Sequence, residues 1–458
     1  MAFLKTESYK KGILYSSAFN VGSKTIAFFQ QWLIGFYFGS HSETDVFFFT
    51  YSIVLYISYF FLNLTTSVLI PEGIKLRNQE GEKSSMTFLN TFILLYGLAG
   101  IAIIGICCSD TSAIFGKISS FSEDVISSNI DLIIWCMPLI YLTIMVNLIS
   151  EIMASYKFFT VPNMINAINS ILGVLFVVLF HNSLGLPSVA IGLIIGSLIN
   201  IVIIVSMMKK ELNWNFSKFC LSRTKAIFTS GLYAQGGFIV YLIALFVPQY
   251  FFSQFSEGSL TAMNYADKIV SIPGIFLVTQ ITNVMAIKYN NLVSNNRLDE
   301  VSNVTTKLMT YISGGLFAVA ILILIGSNFI VDILFGWGKF TPESLKLTSE
   351  LLSLMILYLP FGFAYNMFMR IFNSFKKQNY VLWIQALTQG VILILYYLFI
   401  PKYGELSFPI LRLIPYVLSI FIIIPLFKAL CPSIKAGRMI TIFAALTVLT
   451  AAIIFMAI

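Results

Sequence analysis

The sequence predicts an all-α integral membrane protein, and its composition and hydropathy carry that prediction. Of the 458 residues, 58% are hydrophobic and 10% are charged, and the mean hydropathy is +0.88. Soluble domains carry about 25% charged residues, and a water-soluble core cannot enclose this much apolar side chain. A bilayer can, because about 20 apolar residues cross its hydrocarbon region as a helix. Long apolar stretches recur along the whole chain and leave no room for a separate soluble domain.

Thirteen stretches are long and apolar enough to be transmembrane helices. Pro138, Pro273–Gly274, and Pro360 with Gly362 fall inside three of them, where proline and glycine predict bends. The predicted spans are 12–38, 44–70, 86–108, 128–151, 159–181, 187–208, 226–252, 259–289, 308–331, 347–373, 379–400, 406–427 and 437–458.

Lysine and arginine are distributed unequally between the two sets of loops. If the N-terminus is cytoplasmic, the inner segments hold 21 of these 28 residues and the outer segments hold four. The other three, Lys24, Lys268 and Arg412, lie inside spans. Cytoplasmic loops of membrane proteins are enriched in positive charge, so the count predicts a cytoplasmic N-terminus. The same rule explains the net charge of +8 without nucleic-acid binding.

The longest basic inner loop, 209–225, follows the sixth predicted span. It predicts a linker between two six-helix halves, 1–208 and 226–430, with 431–458 as an extra C-terminal transmembrane helix. A faint internal echo between SETDVFFFTYSIV and SLTAMNYADKIV agrees with two halves. Because each half has an even number of spans, both would enter the membrane in the same orientation, as parallel repeats do.

The sequence lacks the residues that several kinds of chemistry need. Its five cysteines form no C-x-x-C pair, and its two histidines, His41 and His181, are predicted to lie in short loops. Neither a zinc site nor histidine-based catalysis is therefore expected. No G-x-x-x-x-G-K-[ST] motif is present, which argues against direct use of ATP. We predict no catalytic residue, no metal and no cofactor. The lysines near the N-terminus precede an apolar run too long for a signal peptide, which predicts a retained first helix.

Polar residues inside the predicted spans are the candidate functional residues, because charge in a bilayer is costly. Lys24 lies near the middle of the first span, on one helical stripe with Asn20 and Gln31, and Gln30 lies beside that stripe. Such residues either line a polar cavity or make hydrogen bonds between helices.

Several other ionisable residues lie inside spans or near their ends. Asp267 and Lys268 lie eight or nine residues into the eighth span. They are either functional or part of a structural ion pair. Snorkelling and helix capping explain much of the residues nearer span ends, and Arg370 lies at the inner face beside two lysines. The residues nearer span ends are Asp45, Asp131, Glu151 and Arg412.

Four stretches share the order and spacing of one family's motifs. Together they resemble the MurJ/MviN lipid II flippases of the multidrug/oligosaccharidyl-lipid/polysaccharide exporter superfamily, over about 12 to 380. The stretches are Ser23–Lys24 leading into FFQQWLIGFYFGSHSETDVFF, GSLTAMNYADKIVSIP from Gly258, LFGWGKFT from Leu334, and Leu359–Pro360 followed by Asn366, Arg370 and Phe372.

The resemblance implies two six-helix lobes around a central cavity, in the inner membrane of a bacterium. It implies a flippase that moves an undecaprenyl-diphosphate-linked saccharide by alternating access, with membrane lipids as its surroundings. Lys24 and Lys268 would meet the diphosphate, and H⁺, Na⁺ or the membrane potential would supply energy. The remaining substrate-binding candidates are Asn20, Gln30, Gln31 and Arg370, and the ion-coupling candidates are Asp45, Asp131, Glu151 and Asp267.

The sequence also departs from the family's motifs. Lysine replaces arginine at Lys24 and Lys268, Gln30–Gln31 replace an Arg-Asp pair, and Ser58 stands where the second helix would carry arginine. A lysine is a point charge, whereas arginine binds phosphate through a two-pronged fork. These departures favour a related cargo, namely an O-antigen, capsule or exopolysaccharide unit on the same lipid, over lipid II itself.

Three other functions remain open at this point. A cation-coupled multidrug exporter of the same superfamily would use acids such as Asp45 and Asp267, although the central lysines argue against it. A membrane-embedded glycan transferase would need catalytic carboxylates in outer loops, where only scattered acids such as Glu123 and Glu343 occur. A non-transporting scaffold would leave the buried charges unexplained. No sequence feature predicts the oligomeric state.

Overall fold

The protein is helical throughout the part that the structure describes. The computed structural model describes the backbone of 9–220 and 224–457, and the side chains of 18–456 except 221–230, 232–234, 280 and 283. No strand occurs in these ranges. The α-helices are, in chain order, α1 (Tyr9–Phe38), α2 (Ser42–Leu64), α3 (Ile70–Glu80), α4 (Glu82–Ser109), α5 (Thr111–Ile118), α6 (Glu123–Ser128), α7 (Ile130–Cys136), α8 (Pro138–Ser155), α9 (Val161–Leu184), α10 (Pro187–Leu212), α11 (Thr224–Phe252), α12 (Ser259–Pro273), α13 (Thr279–Ser294), α14 (Leu298–Lys307), α15 (Ser313–Ile325), α16 (Ser327–Phe335), α17 (Pro342–Met355), α18 (Leu359–Ser374), α19 (Gln378–Tyr403), α20 (Ser407–Leu430) and α21 (Ala436–Ala457).

Eleven helical segments in the described part are long and apolar enough to cross a membrane. They match eleven of the thirteen predicted spans, and the prediction of a polytopic all-α membrane protein is confirmed. The other two predicted spans, 12–38 and 259–289, lie on α1 and on α12 with α13. Both stretches are helical, the second with a π-helical turn between α12 and α13, but neither is among the eleven. The count of thirteen therefore stays a prediction.

The three bends predicted from proline are confirmed as interruptions of regular helix. Pro138 begins α8 directly after the break at Met137, and Pro360 lies at the start of α18 after a 3₁₀ turn. Pro273 ends α12 and leads into a π-helical turn, Gly274–Val278. Proline favours such breaks because it has no N–H to donate within a helix. It does not enforce them, since Pro248, Pro415 and Pro425 lie inside helices that continue.

The chain divides into two compact units. Unit 1 extends to Leu242 and includes Ser256–Thr261 and Gly338–Phe340. Unit 2 comprises Ile243–Phe255, Ala262–Trp337 and Thr341–Ile458. The first part of α11 thus belongs to unit 1, although the sequence predicted a linker at 209–225. The predicted division into two six-helix halves stays a prediction.

Small residues bring α1, α9 and α10 close together in unit 1. A β-carbon on Gly173 of α9 would lie 2.3 Å from Nε2 of Gln30 on α1. A β-carbon on Gly196 of α10 would lie 2.6 Å from Oδ1 of Asn169 on α9. Transmembrane helices associate by close packing at such positions, because lipid provides no hydrophobic drive for contact between helices.

Helix α18 forms the packed centre of unit 2, with twelve of its sixteen residues buried. It packs against α13, α15 and α20. Aromatic rings fill the contact with α20, where Tyr365 packs edge-on against Tyr416 at 4.9 Å between ring centroids and Phe368 packs against Phe427.

Candidate functional site

Lys24 lies at the middle of α1, fifteen residues after Tyr9 and fourteen before Phe38. Its side chain is exposed, and no ion pair or hydrogen bond to it is found within the described residues. One helical turn earlier, Nδ2 of Asn20 donates to Oδ1 of Asn163 on α9 at 3.1 Å. The residues that spacing placed on one stripe therefore differ in role. Asn20 makes a hydrogen bond between α1 and α9, whereas Lys24 has no partner among the described residues.

The two glutamines of α1 have different surroundings. Gln30 is 5% exposed and packs directly on Gly173, which leaves no space for a side chain on the α9 backbone there. Gln31 is half-buried, and its Oε1 is buried without a hydrogen-bond partner in the described part of the chain. Gln30 thus takes part in the packing of α1 on α9. Gln31 keeps an unused acceptor.

Ser58 of α2 takes part in a neutral contact where the family motif has an arginine. It is 1% exposed, and its Oγ accepts a hydrogen bond from Nδ2 of Asn147 on α8 at 2.9 Å. An arginine is larger than serine and carries a charge that this buried position does not neutralise. The departure seen in the sequence is therefore matched by its local packing.

Within unit 1, a carboxylate of α2 caps the N-terminus of α12, and a carboxylate of the loop before α12 caps the N-terminus of α2. Asp45 on α2 is 3% exposed and accepts from the backbone N–H of Gly258 and of Thr261, each at 2.7 Å, and from the Thr261 hydroxyl at 2.5 Å. In return, Glu257 accepts from the backbone N–H of Ser42 at 2.8 Å. Carboxylates at helix N-termini satisfy free N–H groups and oppose the helix dipole.

The geometry of this double cap explains two of the motif positions. Gly258 has a φ of +85°, which places its N–H on Asp45 and which residues with a β-carbon rarely adopt. Gly39 also has a positive φ, and a β-carbon there would lie 2.2 Å from the backbone oxygen of Lys339. Unit 1 therefore contains the first motif stretch and the short parts Gly258–Thr261 and Gly338–Phe340 of two others. The sequence analysis missed Glu257, which gives no signal beyond being an acid in a short loop before α12.

Asp267 of α12 is paired with Arg412 of α20, within unit 2. Nη1 of Arg412 donates to Oδ1 of Asp267 at 3.2 Å, and the guanidinium carbon lies 4.9 Å from the centre of the Tyr358 ring. Tyr358 in turn packs edge-on against Tyr416, at 4.7 Å between ring centroids. We expected Arg412 to snorkel from a span end. Its partner instead lies on another helix, 145 residues away in sequence.

The other predicted site residues are dispersed. Lys268 is half-buried next to Asp267 in sequence. Arg370, at the end of α18, and Asp131, in the first turn of α7, are exposed. Glu151 is half-buried on α8. Among the described residues no group of three or more His, Cys, Asp or Glu side chains could hold a metal ion.

His181 and Cys431 differ in position or access from what the sequence suggests. His181 lies in the last turn of α9 rather than in a loop, and its ring stacks on Tyr37 at 3.8 Å while Nδ1 lies 3.1 Å from the Val177 carbonyl oxygen. The helix continues to Leu184, three residues past the predicted span. Cys431, between α20 and α21, is 0% exposed, and burial raises the pKa of its thiol. It is therefore a poor target for thiol reagents.

Comparisons with known proteins agree with these motifs. The sequence profile of the family described as lipid II flippase MurJ matches residues 34–458. A probable lipid II flippase MurJ of Aquifex aeolicus (strain VF5) is 26% identical over 407 residues, which is 86% of this chain and 78% of that protein. A protein of the same description from Buchnera aphidicola subsp. Acyrthosiphon pisum is 24% identical over 364 residues, 75% of this chain and 69% of that protein.

Solved structures share the fold. The structure described as lipid II flippase MurJ, inward closed conformation, superposes with a TM-score of 0.81 at 18% identity, over 97% of this chain and 93% of that one. An inward-facing multidrug resistance MATE family transporter gives a TM-score of 0.71 at 12% identity, over 93% and 95%. At these identities the likeness concerns the fold alone. The profile match over nearly the whole chain establishes more: this multi-pass membrane protein belongs to the MurJ family of lipid II flippases, which are transporters rather than enzymes.

Proposed function

We propose that this protein moves an undecaprenyl-diphosphate-linked saccharide across the bacterial cytoplasmic membrane by alternating access, with its N-terminus in the cytoplasm. The observation that carries the proposal is Lys24, an exposed cation at the middle of α1 with no acid partner in the described residues. A charge at that depth is costly unless it meets water or a counter-charge. A diphosphate is such a counter-charge, and Lys268 is the second cation that we assign to it.

Lipid II is the first candidate cargo. The family profile and the relatives from Aquifex and Buchnera carry that name. A surface-glycan unit on the same lipid is the second candidate, and the Ser58–Asn147 contact favours it. Ser58 stands where the family pattern has one arginine, and Gln30, packed on Gly173, stands where it has another. A smaller cationic set suits a cargo with fewer anionic groups than lipid II.

The drug-exporter alternative finds less support. It requires acids that are free to bind a cationic drug or its coupling ion. Asp45 is buried and accepts three hydrogen bonds, and Asp267 pairs with Arg412. For coupling by H⁺ or Na⁺ we therefore favour Glu151, half-buried on α8, over these two acids and over the exposed Asp131. Coupling to the membrane potential alone is the alternative, worth about 2.3 kcal/mol per charge per 100 mV.

Complementation separates the two cargoes. The chain is expressed in a bacterium that is depleted of its own lipid II flippase, and growth is followed beside an empty vector. Full rescue assigns lipid II. Lysis without rescue, combined with loss of a surface polymer on deletion from the native host, assigns a surface glycan. Lysis without rescue and an unchanged surface polymer contradict the proposal as a whole.

A further inference from the structure

Arg412 has more hydrogen-bonding capacity than the described residues use. A guanidinium carries five N–H donors. One of them, on Nη1, is given to Asp267, and no other hydrogen bond from this group is found in the described part of the chain. The side chain is 29% exposed, so its remaining donors are not enclosed by apolar neighbours. This residue can therefore bind a second acceptor without losing its first.

The surroundings of Arg412 hold its guanidinium in a defined plane. It is the sixth residue of α20, a helix long and apolar enough to cross the membrane. The Tyr358 ring lies against it, Tyr416 packs edge-on against Tyr358, and Tyr365 packs edge-on against Tyr416. An aromatic ring beside a guanidinium restrains this planar group, and the donors at its edge can still reach acceptors. An oriented fork is the geometry that binds phosphate.

Asp267 is a weak competitor for this fork. Its contact is a single 3.2 Å hydrogen bond rather than a two-pronged pair, and its side chain is 51% exposed. A single contact to a half-exposed carboxylate restrains Arg412 less than a two-pronged buried pair would. A diphosphate carries more charge than a carboxylate and offers several acceptor oxygens, so it can share or displace Asp267.

We propose that Arg412 binds the diphosphate of the lipid-linked cargo, and that Asp267 keeps the guanidinium in place when cargo is absent. The inference rests on the proposed function and adds a residue to it. Lys24 and Lys268 stand where the family motifs have arginines, and lysine cannot form the two-pronged contact. Arg412 supplies that contact from α20, a helix that carries none of the four motif stretches.

A binding experiment on the full chain tests this assignment. The protein is placed in lipid nanodiscs, and its affinity for undecaprenyl diphosphate is measured for wild type and for Arg412→Gln, Asp267→Asn and the double variant. The control is Arg297→Gln, which breaks an exposed arginine–glutamate pair with Glu300 at the start of α14. We expect Arg412→Gln to weaken binding by about tenfold, the worth of a charge-assisted contact. Asp267→Asn binds at least as tightly as wild type.

The double variant decides between binding and structure. It leaves neither partner with an unpaired charge, so it folds even if Arg412→Gln alone does not. If Arg412 binds the diphosphate, the double variant binds as weakly as Arg412→Gln. If the pair is only structural, the double variant binds like wild type, or Asp267→Asn loses as much affinity as Arg412→Gln, and the assignment is wrong. Wild type that does not bind undecaprenyl diphosphate at all overturns the proposed function instead.

Discussion

The buried cap at Asp45 makes a graded prediction about stability. Replacing Asp45 by Ala leaves the backbone N–H groups of Gly258 and Thr261 without an acceptor, and each unsatisfied buried group costs about 1–3 kcal/mol. We expect a loss of about 4 kcal/mol in the free energy of unfolding. Asp45→Asn keeps one acceptor oxygen and loses about half as much. Thr261→Val removes only the hydroxyl bond, which is worth about 1 kcal/mol.

Thermal unfolding of the detergent-solubilised variants ranks their stabilities. We expect the melting temperature to fall least for Thr261→Val, more for Asp45→Asn and most for Asp45→Ala. The matched control is Glu43→Ala, which removes an exposed carboxylate from the same first turn of α2. If Asp45→Ala is no less stable than Thr261→Val, the carboxylate does not cap α12. If Asp45→Asn keeps its stability but loses transport, Asp45 couples an ion and the capping argument is wrong.

Three further predictions concern transport, packing and topology. Lys24→Ala and Lys268→Ala should each lower export by about tenfold with normal abundance, while Lys→Arg keeps part of the activity. Normal export by the double variant would refute their role, and lost abundance with normal specific activity would assign them to structure. Gly173→Ala should cost about 1–3 kcal/mol because it displaces the buried Gln30 side chain from its place against α9, whereas Gly236→Ala, with open space around it, should cost nothing. Equal stabilities would contradict the packing of Gln30 on Gly173. An impermeant thiol reagent should label Cys220 only in permeabilised cells, and labelling of Cys220 in intact cells would reverse the topology.

The fold was largely predictable because its signal is local. Each span is a run of apolar residues whose length is set by the bilayer, and the breaks at Pro138, Pro273 and Pro360 follow from a missing N–H. No neighbouring helix has to be known for either inference. The π-helical turn at Thr65–Leu69 was not predicted, because its sequence contains neither proline nor glycine and so gives no local signal.

The candidate site was predictable in its residue types and not in their roles. Gln30 and Gln31 are adjacent and chemically identical, yet one packs on Gly173 and the other keeps a free acceptor. That difference depends on which side of α1 packs against α9. Hydropathy does not predict this side, because α1 has polar residues on more than one face. The role of Arg412 was missed because the sequence shows its position near a span end but not its partner on α12.

The placement of the acids explains why an anionic cargo suits this chain. Asp45 is fixed by two backbone N–H groups and a hydroxyl, and Asp267 is held by Arg412. Neither acid pairs with Lys24 in the described part of the chain, so the helix carries a mid-length cation without a protein counter-charge. Burying a diphosphate beside such a cation relieves a cost that the empty protein bears, and charge neutralisation then contributes directly to cargo binding. A protein that neutralised Lys24 internally would have to break that pair before binding, and would bind the same diphosphate less tightly.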